Sequence, residues 1–103
     1  MSARANALRA LLAQDPNNSF VRYGLAQDHL GNGHLEEAMT EFHTLIAQNA
    51  DYCAAYFHGG QTLEKLGRVA EAAEMYKQGI AATNRTGDGH TRSELEAALQ
   101  MIS

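Results

Sequence analysis

The chain has 103 residues, enough for one small domain with a modest core. Its net charge of -4 and pI near 5.6, with Lys and Arg thinly spread, argue against a basic nucleic-acid surface. No apolar run is long enough to span a bilayer, and the single Cys53 closes no internal disulfide.

One Pro, no Trp and abundant Ala, Leu, Glu, Gln and Met favour helix over sheet. The opening "MSARANALRALLAQDP" predicts a helix over 3–14, with Leu8, Leu11 and Leu12 on one face. Arg4 and Arg9 break its apolar character too often for a secretory signal. "DPNNS" at 15–19 ends this helix, because Pro16 disfavours helical backbone in the residue before it. Asn18 or Ser19 can then accept a hydrogen bond from a free N–H of the next helix. That second helix is expected over 19–31 and carries Phe20, Tyr23, Leu25, Ala26 and Leu30. "GNGH" at 31–34 is a break, since glycine tolerates the left-handed backbone that ends helices.

A third helix over 35–48 places Leu35, Ala38, Met39, Phe42, Leu45 and Ile46 on one face. Asp51 is the expected cap of a fourth helix over 52–66, and Gly67 its stop. The fifth begins near Val69, with Ala72, Ala73, Tyr76 and Ile80 on the same side. "NRTGDGH" at 84–90 reads as a polar loop. "TRSE" at 91–94 fits a capping box, in which Thr91 and Glu94 each satisfy a backbone donor. A sixth helix over 92–102 follows, with Leu95, Ala98, Leu99 and Ile102 in register. No segment reads as a strand.

"GHLEEAMTEF" at 33–42 returns as "GRVAEAAEMY" at 67–76, an offset of 34 residues. At that offset Gln27 meets Gln61, Gly33 meets Gly67, Glu37 meets Glu71, Ala38 meets Ala72 and Phe42 meets Tyr76. Each unit is a helix, a glycine turn and a helix, folding back as an antiparallel pair. One pair alone leaves an apolar side bare, and a second pair stacked on it covers that side. Ala26 and Gly60, with Ala38 and Ala72, are small where two helices cross closely. The aromatic at 42 or 76 then fills the space one turn on.

"LAQDHLGNGHLEEAMTEF" and "GGQTLEKLGRVAEAAEMY" resemble two tetratricopeptide repeats. The family pattern falls on Leu25-Ala26, Gly33, Ala38 and Phe42, and again on Gly59-Gly60, Gly67, Ala72 and Tyr76. "DPNN" at 15–18 matches the family's junction. The resemblance implies an all-α fold of antiparallel helix hairpins stacked as a short right-handed superhelix. It implies a half-repeat at 3–14, repeats at 19–50 and 53–84, and a capping helix at 91–103. There are departures. Arg22 stands where the family often has Trp, although Tyr56 suits that place in the second unit. Ala50 and Asn84 replace the junction proline. Gly59 replaces a usual Leu, and Leu45 a usual Ala, so Leu45 is expected to fill the space at Gly59.

No GxSxG, phosphate loop, HExxH or CxxC is present, and no catalysis is expected. Five histidines lack the i, i+4 pairing that would put two imidazoles on one helix face, so neither metal nor cofactor is expected. His29 is expected to pack between helices, and His43 and His90 to face solvent. The resemblance implies that the leading helix of each unit lines a concave face. Family phasing puts Phe20, Tyr23 and Gln27 there from the first unit, and Phe57, His58, Gln61 and Lys65 from the second. An aromatic floor with polar edges suits an extended peptide or an amphipathic helix. Tyr23 and Phe57 could equally be core. The family's carboxylate clamp of Lys and Asn is not supported, since its positions hold Tyr23, Gln27 and His58. Lys65 alone could pair with an acidic peptide. The expected function is a non-enzymatic, cytoplasmic protein-binding module without nucleic-acid or membrane partners. The alternative is a self-associating, homo-oligomeric scaffold.

Overall fold

Side-chain hydrogen bonds cap the starts of three helices. In the computed structural model, which describes residues 2–103, α1 spans Ala3–Gln14. The Ser2 hydroxyl accepts from the Ala5 N–H at 2.9 Å and donates to the Asp28 carboxylate at 2.8 Å, so the cap also ties α1 to its neighbour. Asn18 caps α2 (Ser19–Gly31), its side-chain oxygen accepting from the Val21 N–H at 3.0 Å.

Glycine sets where three helices end. α2 closes at Gly33, with φ +75°, and α4 (Cys53–Lys65) at Gly67, with φ +77°. In both, the next N–H reaches back across the turn: His34 to the His29 carbonyl and Arg68 to the Leu63 carbonyl, each 2.8 Å. α3 (Leu35–Gln48) and α5 (Val69–Thr86) follow these turns. α6 (Gly89–Ile102) completes the chain. Among the described residues there is no strand. Each helix packs on its chain neighbours, and α6 also returns to α4.

Three local expectations are corrected. Asp51 does not cap α4, which starts at Cys53 with no side-chain cap. Its carboxylate instead accepts from Arg85 Nε at 2.8 Å, a charge-assisted bond that outcompetes a neutral N–H. Residues 84–86 are not loop. Arg85 is anchored to Asp51 and to the Ala50 carbonyl, and α5 runs on to Thr86 before turning at Gly87. Thr91 is therefore inside α6, and Asp88 caps it, accepting from the Thr91 N–H at 3.0 Å. The side-chain bonds of Asp88 with Thr91 hold its carboxyl below the usual range.

The core runs from Ala26, Ala38, Phe42 and Leu45 through Tyr56, Leu63, Ala72 and Tyr76 to Leu95, all buried. A smaller cluster of Ala5, Leu12 and Leu25 joins α1 to α2. The close crossing inferred for the second unit is present. A Cβ on Gly60 would stand inside the van der Waals envelope of the Tyr76 ring. The Tyr76 hydroxyl donates to the Glu64 carboxylate, and burial followed by that bond pushes the phenol's pKa up. The space at Gly59 is filled differently from the expectation. Met75 Sδ lies 3.6 Å and Phe42 Cβ 3.7 Å from where a Gly59 Cβ would be, nearer than any atom of Leu45. An unbranched thioether reaches into such a gap more easily than a branched leucine on the preceding unit.

Candidate functional site

α2, α4 and α6 present neighbouring faces on one side of the stack. Tyr23, on α2, sits where the two units meet. Its ring lies 5.3 Å from that of Tyr52, 5.8 Å edge-on from His58 and 6.4 Å from Phe42. Gln27 Nε2, one helical turn on, donates to the Tyr23 hydroxyl at 2.8 Å. Tyr23 is thus half-buried between core and surface, joining the units while keeping one edge exposed. His58 is flanked edge-on by Phe57 at 5.3 Å.

The environment of this ring row is partly dry. Burial lowers the pKa of His58, opposed by the field of Glu94 from α6. Burial raises that of Tyr23, opposed by the Gln27 hydrogen bond and reinforced by Glu94. Glu94 therefore acts on both rings from across the face.

Of the seven side chains singled out by the family resemblance, five border two apolar recesses, Lys65 lies at a polar rim, and His58 lines neither. Phe20, Tyr23 and Gln27 border a recess of about 320 Å³ whose other wall is α1, through Arg4, Leu8 and Leu11. Phe57 and Gln61 border one of about 280 Å³, walled by Glu94, Ala98 and Met101 of α6. Lys65 lies beyond, beside Gln61 and Glu64. His58 lines neither recess. It forms the ridge between them with Tyr23. Phe20 is 76% and Met101 85% exposed, so each recess has a bare apolar lip.

The two outer walls were not foreseen. Leu8, Leu11 and Leu12 share a helical face in projection, but only Leu12 is buried, while Leu11 is 53% exposed. The signal available was that stripe's width, which exceeds what one neighbouring helix can cover. Met101 and Ala98 could have been found only by knowing that α6 returns to α4.

Elsewhere, His43, Ile46, Glu71, Glu74 and Met75 line a cavity of about 310 Å³ between α3 and α5. Cys53 is buried, with its Sγ 3.4 Å from both the Asp51 carbonyl and the Thr86 hydroxyl. His29 is buried beside Arg9, and His43 and His90 are exposed, as expected. Among the described residues no three His, Cys, Asp or Glu side chains gather as a metal cage. Nor is any helix among them long and apolar enough to cross a membrane.

Residues 3–59 match the family described as "Tetratricopeptide repeat". The chain belongs to the tetratricopeptide repeat family. A curated relative, a TPR repeat-containing protein of Pseudomonas aeruginosa, is 26% identical over 95 residues, covering 92% of this chain and 90% of the relative. The crystal structure of a tetratricopeptide repeat domain protein from Salinibacter ruber superposes with a TM-score of 0.79. It is 34% identical, over 82% of this chain and 94% of that one. PcrH, solved in complex with the chaperone binding region of PopD, shares the fold at a TM-score of 0.89. Its identity is 16%, over 95% of this chain and 74% of that one. The tetratricopeptide hairpins seen here are thus an arrangement that diverged sequences hold.

Proposed function

We propose that the protein is a non-enzymatic protein-interaction module that holds a peptide or helical segment across the faces of α2, α4 and α6. In this reading residues 3–14 are the trailing half of a unit, 19–50 and 53–84 are full units, and 91–103 close the stack. Phe20, Tyr23 and Phe57 supply apolar contact, His58 the ridge between the recesses, and Gln27, Gln61 and Lys65 polar edges.

The observation that carries this reading is the pair of apolar recesses on either side of the Tyr23–His58 contact, each with an exposed apolar lip. Burying such lips is the main source of affinity in a groove of this kind, while the polar edges set direction. PcrH, of the same fold, is found with a segment of another protein bound. The family and fold likewise support interaction rather than catalysis.

The test is affinity capture from the source cell with the wild-type chain and with Phe57→Glu, partners being identified by mass spectrometry. Phe57 is the better site for substitution, because Tyr23→Ala would also loosen the joint between units. A partner held by the wild-type chain and lost by Phe57→Glu, at unchanged helicity, is the expected result. The same partner retained at full yield by Phe57→Glu would show that binding is elsewhere.

A further inference from the structure

The two full units cover their own trailing helices: α2 lies on α3, and α4 lies on α5. α1 differs. By the 34-residue register, Arg4, Leu8 and Leu11 take the places of Ala38, Phe42 and Leu45 in α3. Phe42 and Leu45 are fully buried, whereas Leu8 is half-buried and Leu11 is 53% exposed. Among the described residues no helix lies on that face of α1 as α2 lies on α3.

The neighbouring face of α2 carries no side chain of its own in the same place. Gly24 is the register equivalent of His58, whose ring meets Tyr23 from the preceding leading helix. At Gly24 there is no ring. A Cβ there would meet the Leu8 side chain, Cδ1 at 3.8 Å and Cδ2 at 3.9 Å, and Arg4 Nη2 at 3.9 Å, all at ordinary contact distance. Leu8, Leu11, Phe20 and Gly24 thus enclose a seat for helix side chains within the recess of about 320 Å³.

Charge selects the occupant. Residues 1–14 contain Arg4, Arg9 and no acid, on a chain whose net charge is -4. Arg9 is turned toward His29, at 3.5 Å. Arg4 makes no ion pair among the described residues, and its guanidinium lies at the recess. A second copy docking α1 against α1 would bring like charges together.

We propose that this recess seats an acidic amphipathic helix of a partner protein. Its apolar side chains enter between Leu8, Leu11, Phe20 and Gly24, and a carboxylate pairs with Arg4. The inference rests on the groove reading of Phe20, Tyr23 and Gln27. It adds α1 as a wall and fixes the sign of the partner's charge. An Arg–carboxylate pair at such a rim is screened by salt, so affinity falls as ionic strength rises.

The test uses two synthetic amphipathic helices with the same leucine spacing, one flanked by Glu and one by Lys. Each is titrated into the 15N-labelled full chain. The Glu peptide is expected to shift the amides of Leu8, Leu11 and Gly24 and to bind at least tenfold tighter than the Lys peptide. Arg4→Glu should reverse that preference, and Gly24→Leu, which fills the recess, should abolish binding at unchanged helicity. Equal affinity for both peptides, or a preference indifferent to Arg4→Glu, overturns the proposal. Shifts confined to Phe57, Gln61 and Met101 overturn it too, while leaving the groove reading intact. Absence of binding by either peptide at any site overturns it as well. Sedimentation showing a dimer dissolved by Leu11→Glu would give the seat to a second copy and likewise sink it.

Discussion

The two repeat units solve one packing problem with different chemistry. In the first, Arg22 on α2 reaches Glu41 on α3 at 2.7 Å, with side chains 14% and 12% exposed. In the second, the register equivalents are Tyr56 and Met75. Arg22 Nη2 donates to the Pro16 carbonyl at 2.9 Å, and the Tyr56 hydroxyl donates to the Ala50 carbonyl at 2.6 Å. Pro16 and Ala50 are themselves 34 residues apart. Both units therefore satisfy the same junction carbonyl from the same helix position, one with a guanidinium and one with a phenol. This is the physical content of Arg at a place where the family often has Trp.

Volume is conserved in the same way. Leu25, Ala26 and Leu45 of the first unit become Gly59, Gly60 and Gly79 of the second. The second unit's larger Tyr56, Met75 and Tyr76 occupy what those glycines vacate. A Cβ on Gly79 would stand 2.5 Å from Tyr56 Cβ and 2.9 Å from Leu95 Cδ1. The comparison teaches that the repeat conserves the distance between helices rather than the residues that set it. The first unit has an ion pair where the second has two buried side chains without charge, Tyr56 and Met75. Arg22 Nε is left buried without a partner, a defect the second unit does not share.

The sharpest break of this comparison is Gly60→Ala. The new methyl group meets the face of Tyr76, a ring held by its bond to Glu64. Overpacking of that kind should cost about 3 kcal/mol, read from urea unfolding. Near-wild-type stability would mean that α4 and α5 are free to part, and that the spacing is not set here. Next comes Glu41→Ala, which leaves the Arg22 charge half-enclosed and unpaired. A loss of about 2 kcal/mol is expected, below the figure for a fully buried pair because both side chains retain some water contact. The same variant should lose as much at high salt as at low salt if the pair is shielded from solvent, and less if it is not.

Gly59→Ala has the opposite sign. The nearest atoms to its Cβ, Met75 Sδ and Phe42 Cβ, stand at ordinary contact distance. Replacing an interior helical glycine should then stabilise by about 1 kcal/mol, again by urea unfolding. Two adjacent glycines with opposite responses would show that one serves the helix crossing and the other does not.

The smallest effect concerns pH. Burial lowers the folded-state pKa of His58 below 6.5, so the unfolded chain takes up its proton first as pH falls. Stability from this group is complete above about pH 6.5 and declines below it, toward the folded value. Wild-type protein and His58→Gln, unfolded in urea at pH 7.5 and 5.5, should differ in that slope, the variant being flatter. Parallel slopes would place His58 in water.

Much of this architecture was legible beforehand, and so was the place where legibility fails. Asn18 as a cap and Gly33 and Gly67 as stops were readable, because caps and turns act within a few residues. The Gly60–Tyr76 crossing was readable because the 34-residue offset repeats it as Ala26 and Phe42. Asp51 and Thr91 misled because each has a second use that depends on a distant partner. Arg85 draws Asp51 away, and the turn this adds to α5 carries Thr91 inside the next helix. The candidate groove residues came from the family resemblance, whose phasing placed them on the leading helices. That Tyr23 belongs at once to the joint and the surface, and that α1 and α6 supply the outer walls, was not readable.

The sequence by itself determined the helical fold, the turns at Gly33 and Gly67 and the 34-residue spacing that stacks one hairpin on another. Only the tertiary structure decided what fills the gap at Gly59, where the apolar face of α1 remains bare, and how Glu94 comes to face Tyr23 and His58. The reason is range. Backbone hydrogen bonds and caps are closed within a turn of helix, whereas a packing partner is chosen among side chains tens of residues away, by reach and rotamer once the hairpins have met.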